Sequence, residues 1–128
     1  MTAYSSAMSS RTRAERLALN ESAFREINDR VTRDLAPLRH PPERMEFVCE
    51  CARLECRDQI ELSRAEYERV RADAMDFVIV PGHEFPEAED VVERTERFSV
   101  VRKHADVRHV ATSTDPRGPA RPAAPEDG

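Results

Sequence analysis

At 128 residues, with 35% charged and 5% aromatic residues and no tryptophan, the chain has room for one domain with a modest hydrophobic core. Its net charge of −5 is uneven: residues 1–40 carry +2, 41–103 carry −6 and 104–128 carry −1. An acidic central region argues against a broad nucleic-acid surface, and no stretch reaches the roughly 18 apolar residues needed to span a bilayer.

Residues 1–10 are rich in serine and small side chains and are expected to be disordered. From about Arg11 to Leu38 the pattern turns helical, within a segment 11–40. Leu17, Phe24, Val31 and Leu38 recur every seven residues, with Ile27 and Leu35 flanking them, which predicts one apolar face of an amphipathic helix. Asn20 is a possible internal cap, and Pro37 and the pair Pro41-Pro42 close the segment. The apolar stripe fits either docking onto the domain or contact with another protein or a second copy of the chain.

Met45 to Cys51 alternates, with Met45, Phe47, Cys49 and Cys51 on one side and Glu46, Val48 and Glu50 on the other. Period two predicts a strand. Ser63 with Glu66 three residues later forms a capping box, and Leu62 with Tyr67 a hydrophobic staple, so a helix is expected to about Asp73 that buries Tyr67 and Val70. Phe77 to Val80 reads as a second strand, stopped by Pro81-Gly82. Pro86 suits the first turn of another helix, with Glu87, Glu89 and Asp90 near its N-terminus and Val91 and Val92 on its apolar face. Phe98 to Arg102 reads as a third strand. After His104 the periodicity fades, and 104–128 is expected to be an unstructured Pro/Ala-rich tail. The sum is an α+β domain over 43–103, a small three-stranded sheet with two short helices, preceded by a long amphipathic helix.

Three cysteines, Cys49, Cys51 and Cys56, are the only ones in the chain and fall within eight residues, as Cys-x-Cys-x4-Cys. Clustering of this kind suits metal ligation, because thiolates must converge on one ion. His83 is the best-placed fourth ligand of the four histidines, since it follows the tight turn Pro81-Gly82 at a strand end. His40 lies beside a proline corner, and His104 and His109 near the fading tail. The spacing departs from the Cys-x2-Cys of zinc knuckles, and residues two apart on a strand lie about 6.6 Å apart, so the chain must bend after Cys51 for both sulfurs to reach one ion. Two other readings stand beside the metal site: a labile disulfide between Cys49 and Cys51 with Cys56 as resolving thiol, and simple packing of cysteine as a small hydrophobe. Glu84, Glu87 and Asp90 fit helix capping better than a carboxylate site. No Gly-rich phosphate loop, nucleophile elbow or Ser-His-Asp spacing is present.

In Asn20-Glu21-Ser22, Phe24-Arg25-Glu26-Ile27-Asn28, Phe47-Val48-Cys49-Glu50-Cys51 with Cys56, Glu66-Tyr67-Glu68-Arg69-Val70-Arg71, Pro81-Gly82-His83-Glu84 and Val91-Val92-Glu93, the chain resembles a family of small uncharacterised bacterial proteins, mainly from actinobacteria. The resemblance covers about residues 20–103. It implies that the cysteine cluster and Pro-Gly-His-Glu belong to one pattern, a Cys3His set, and it brings no activity with it. Such sequences carry Gly after the second cysteine where this chain has Ala52, which argues against a tight sulfur-facing turn here. The expectation is a cytoplasmic protein whose reduced thiols hold a structural zinc ion (Zn2+) through Cys49, Cys51, Cys56 and His83, in a non-catalytic interaction or regulatory module. A thiol redox switch on the same cluster is the alternative. An enzyme with an open zinc site is the weakest reading, for it would have only Glu84 as a base.

Overall fold

The computed structural model describes residues 12–40 and 42–117; the segments 1–10 and 118–128, both expected to be unstructured, lie outside the described residues. The chain is mixed α+β. Helix α1 (Arg13–Leu35) is followed by strands β1 (Met45–Val48) and β2 (Gln59–Leu62), helix α2 (Arg64–Arg71), strands β3 (Asp76–Ile79), β4 (Glu89–Arg94) and β5 (Ser99–Lys103), a 3-10 turn at Ala105–Val107 and helix α3 (Arg108–Ser113).

Among the described residues the strands form two antiparallel sheets. One is the hairpin β1–β2, with Phe47 opposite Ile60; the other has order β3-β5-β4, with Val101 of the central strand between Phe77 and Val91. Gln-Ile-Glu-Leu at 59–62 alternates, burying Ile60 and Leu62, so β2 carried a period-two signal that the sequence reading passed over. Its presence pulls the first strand out of the three-stranded sheet and into a hairpin whose loop, 49–58, carries all three cysteines.

The segment after Pro86 is a strand, not the expected helix. Residues 86–88 form a turn and Glu89–Arg94 pair with β5, with a bulge at Val92. The β-branched pair Val91-Val92 favours extended backbone. Glu89, read as a helix-dipole partner, instead turns inward, where its Oε2 accepts the Phe85 N–H at 3.0 Å. The expected α2 is present, with the Ser63/Glu66 capping box intact and Tyr67 and Val70 buried; such a cap contributes about 1 kcal/mol. Tyr67 stacks on Phe47 at 4.7 Å, joining α2 to the hairpin. The region after His104 also differs from expectation: Val107, Val110 and Ala111 are buried, and Val107 and Val110 pack on Ala18 of α1.

Helix α1 starts at a Thr12/Glu15 capping box and runs through Asn20 without a break. Of its apolar stripe only Leu17 belongs to the buried face. Phe24 and Val31 are half-buried, while Ile27 is 41% and Leu38 49% exposed. The buried face is Leu17, Ala18, Glu21, Ser22, Arg25, Asn28, Asp29 and Thr32, spaced as a helical stripe but mostly polar. Each of these polar side chains meets at least one partner, although among the described residues Glu21 Oε2 accepts, and Arg25 Nε donates, no hydrogen bond. Arg25 donates to the carbonyls of Ala74 (2.7 Å) and Ala111 (2.8 Å) and lies over the Phe77 ring. Asp29 accepts two bonds from Arg71, both at 2.8 Å. Glu21 meets Lys103, which also contacts Glu89 at 2.7 Å. Satisfied buried hydrogen bonds contribute about 0.5–1.5 kcal/mol each, and one broken partner costs about 1–3 kcal/mol. The helix is therefore held in one register by bonds that no slipped arrangement reproduces.

Candidate metal centre

The site is built from two loops. The first leaves β1 at Val48 and returns into β2 at Gln59; the second leaves β3 at Ile79. Three backbone bonds seat the first loop: Cys49 N–H to Asp58 O at 3.0 Å, Glu50 N–H to Val78 O at 2.8 Å and Cys56 N–H to Arg53 O at 3.0 Å. The last of these closes a turn over residues 53–56 and brings Cys56 back toward the other two sulfurs. Arg57 Nη1 donates to the Leu54 and Cys56 carbonyls at 2.8 and 3.0 Å, capping acceptors the turn leaves open. In the second loop, His83 N–H bonds Val80 O at 3.0 Å around Pro81-Gly82, with Gly82 at φ +92°. Proline at the second and a left-handed glycine at the third position are what a type II turn requires. That turn swings the imidazole toward the cysteines.

The four side chains converge. The sulfurs of Cys49, Cys51 and Cys56 and a ring nitrogen of His83 all lie within 4.8 Å of one another. His83 Nδ1 is 3.5 Å from Cys49 Sγ and 3.9 Å from Cys56 Sγ. Ligands placed tetrahedrally about 2.0–2.3 Å from a zinc ion stand about 3.3–3.8 Å apart, so these spacings are close to those a bound ion needs. Among the described residues it is the one group of three or more His, Cys, Asp or Glu side chains whose ligand atoms gather in this way. The Cys3His set is positioned to bind a metal.

Backbone N–H groups support each sulfur. Val80 N–H donates to Cys49 Sγ at 3.2 Å, and the N–H groups of Arg53 and Asp58 stand behind Cys51 and Cys56. The last two are each two residues beyond their cysteine. No non-glycine residue among those described has positive φ, so the turn after Cys51 forms without a glycine. Ala52 is buried, in a small cluster with Leu17 and Ala88, and its presence does not disrupt the sulfur-facing turn.

The sulfurs are electrostatically unequal. A hydrogen bond from the Cys49 thiol draws Cys51 down to about 5, and the same bond, with burial, holds Cys49 far above the usual thiol range. Burial also raises Cys56. The shared bond thus favours the thiolate at Cys51, while Cys49 and Cys56 must lose protons to a metal. On the far side of the imidazole, His83 Nε2 lies 3.6 Å from Asp58 Oδ2. At that distance the carboxylate faces Nε2 without hydrogen-bonding it, and Nδ1 is the ring nitrogen turned toward the sulfurs.

Several supporting residues were not found from sequence. Glu50, expected on the outward side of a strand, is fully buried between the two cysteines; burial pushes its carboxyl up, and bonds from Tyr67, Asn28 and Val78 pull it back. Asn20, read as a possible cap, donates to Ala52 O at 2.8 Å from the middle of α1. Asp58 and Asn28 carried no spacing signal. The other histidines are elsewhere: His40 is exposed, His104 faces Asp90 at 3.3 Å and His109 faces Glu15 at 2.8 Å. Glu87 pairs with Arg13, apart from Asp90, so Glu84, Glu87 and Asp90 do not gather into a carboxylate site.

No helix among the described residues is long and apolar enough to cross a membrane. No family model matches the chain, and comparison with curated proteins and with solved structures gives no match either, so the functional argument rests on the chemistry of the Cys3His group.

Proposed function

We propose that the chain is a cytoplasmic zinc-binding protein in which Cys49, Cys51, Cys56 and His83 close a structural site within a non-catalytic interaction or regulatory module. The observation that carries this reading is the convergence of four protein ligand atoms within 4.8 Å. A catalytic zinc keeps a position open for water or substrate, whereas four protein ligands fill the tetrahedron. Three soft sulfurs and one imidazole favour zinc among the common divalent ions. The ten-residue loop 49–58 gains from a bound ion the staple that a small core needs.

The partner-facing element is the first helix. Ile27 and Phe24 line, with Val48, Leu54, Cys56 and Gln59, a groove of about 440 Å³ that is open at the surface, and Leu54 at the loop tip is 56% exposed. A partner protein or a second copy of the chain would cover this apolar strip. The test of the zinc reading is chelation under reducing conditions, followed by circular dichroism: loss of the fold on zinc removal and recovery on zinc return support it. A fold indifferent to chelator refutes it.

A second reading, a thiol redox switch, is favoured by one observation. Cys49 and Cys51 are buried, while Cys56 is half-buried and lines the open groove. A peroxide would oxidise two of the thiolates to a disulfide, being itself reduced to water, and the ion would leave with two of its three sulfur ligands gone.

A further inference from the structure

We infer that Glu50 is a positioning residue through which the docked polar face of α1 sets the placement of Cys49 and Cys51. The inference rests on the metal reading of the Cys3His group and deepens it.

Glu50 is the one residue between two sulfur ligands, so anchoring its side chain and backbone restricts where both neighbouring sulfurs can emerge. It is fixed by three elements at once. Glu50 Oε2 accepts the Tyr67 hydroxyl of α2 at 2.6 Å and Asn28 Nδ2 of α1 at 2.9 Å, and Oε1 accepts the Val78 N–H of β3 at 3.1 Å. Its own N–H returns a bond to Val78 O. All three side-chain partners are donors, which suits a carboxylate and no neutral side chain of the same shape.

Asn28 does more than meet Glu50. Its Oδ1 accepts the Val48 N–H at 2.9 Å and its Nδ2 also donates to Val48 O at 2.8 Å, so one residue of α1 clasps the last residue of β1. Asn20, two turns earlier, holds Ala52 O. The peptide from Val48 to Ala52 is thus gripped from α1 at both ends and in the middle, while neither asparagine is one of the converging ligands. Outer partners that orient metal ligands typically change metal affinity by about 10–100-fold when removed. Linkage requires the reverse as well: an ion that favours this loop geometry favours the docked helix by the same factor.

The test compares zinc affinity, by competition with a chromophoric chelator, in the wild-type chain and in Glu50→Gln, Asn28→Ala and Val110→Ala. Val110 is buried under α1 on α3, far along the chain from the loop, and controls for general loss of stability. Cobalt(II) absorption spectra of each variant report the ligand geometry directly. The expected result is a 10–100-fold weaker zinc complex and shifted cobalt bands for Glu50→Gln and Asn28→Ala, with both readouts unchanged in Val110→Ala despite its lower melting temperature. If Glu50→Gln does not fold, Asn28→Ala decides. Wild-type affinity and spectra in the Glu50 and Asn28 variants overturn the positioning role while leaving the site intact; equal weakening in Val110→Ala overturns it too. A wild-type chain that binds no metal overturns the site and this role together.

Discussion

Glu21, Lys103 and Glu89 form a fully buried cluster with one ammonium for two carboxyl groups. Taking an unpaired charge out of water is costly, so the cluster is best balanced when one carboxyl keeps its proton. Burial, and after it the neighbouring Glu89, hold Glu21 well above the ordinary carboxylate range, against the opposing pull of Lys103. Glu21→Gln reproduces the protonated acid, with an amide oxygen for Lys103 and an N–H for Glu89. The sign follows from proton uptake. A carboxyl raised in the fold keeps its proton there while the unfolded chain has lost it, so wild-type stability falls as pH rises from about 4.3 toward the folded value. The variant lacks that loss. Its stability relative to wild type should therefore climb by about 1.4 kcal/mol per pH unit in this window, while all other groups, the cysteines included, cancel in the difference. Lys103→Met is the counterpart. It strands two buried carboxyls and should cost about 3–5 kcal/mol, a large share of the about 5–15 kcal/mol expected for a domain. Urea unfolding at matched zinc loading, in steps upward from about pH 5, measures both effects, the climb ending where Glu21 titrates in the fold. A Glu21→Gln deficit above about 1 kcal/mol that stays flat across pH would refute the reasoning, because Glu21 would then be the ionised partner of Lys103.

Three further outcomes are expected. Asp58→Asn should weaken zinc binding by no more than about 10-fold, since Asp58 is 61% exposed and stands 3.6 Å from His83 Nε2; chelator competition measures it, and a larger loss would show that the carboxylate closes onto the imidazole when metal binds. Ala52→Gly should lower stability by about 1–2 kcal/mol, from a lost buried methyl and a freer unfolded backbone, with zinc stoichiometry unaltered in urea titrations. Zinc should leave as the medium is acidified, since protons compete for thiols of which two are held high; release followed with a chromophoric chelator should fall, not rise, with increasing pH.

What could be read from the sequence was whatever is encoded locally. The Ser63 capping box, the Pro81-Gly82 turn and the Cys-x-Cys-x4-Cys spacing are short-range patterns with short-range causes, and together they located all four side chains that converge. The first helix was legible as a helix but not in its orientation. Periodicity marks apolar residues as the buried face, whereas here Arg25, Asn28 and Asp29 are buried because distant partners such as Ala111, Val48 and Arg71 satisfy them. Partners that far along the chain leave no local trace. One signal did exist: Lys103 is the only lysine beside nineteen arginines, and it is the cation buried between two glutamates. The Glu89–Arg94 segment was misread because Pro86 and three acids imitate a helix start, while the β-branched Val91-Val92 pair joins β5.

The central claim is that the Cys3His group holds a metal. Elemental mass spectrometry of protein purified under reducing conditions, beside a Cys56→Ser variant, tests it most directly. The account predicts about one zinc per wild-type chain and a clear loss in the variant. Metal-free wild type, or a variant that keeps full zinc, would contradict it.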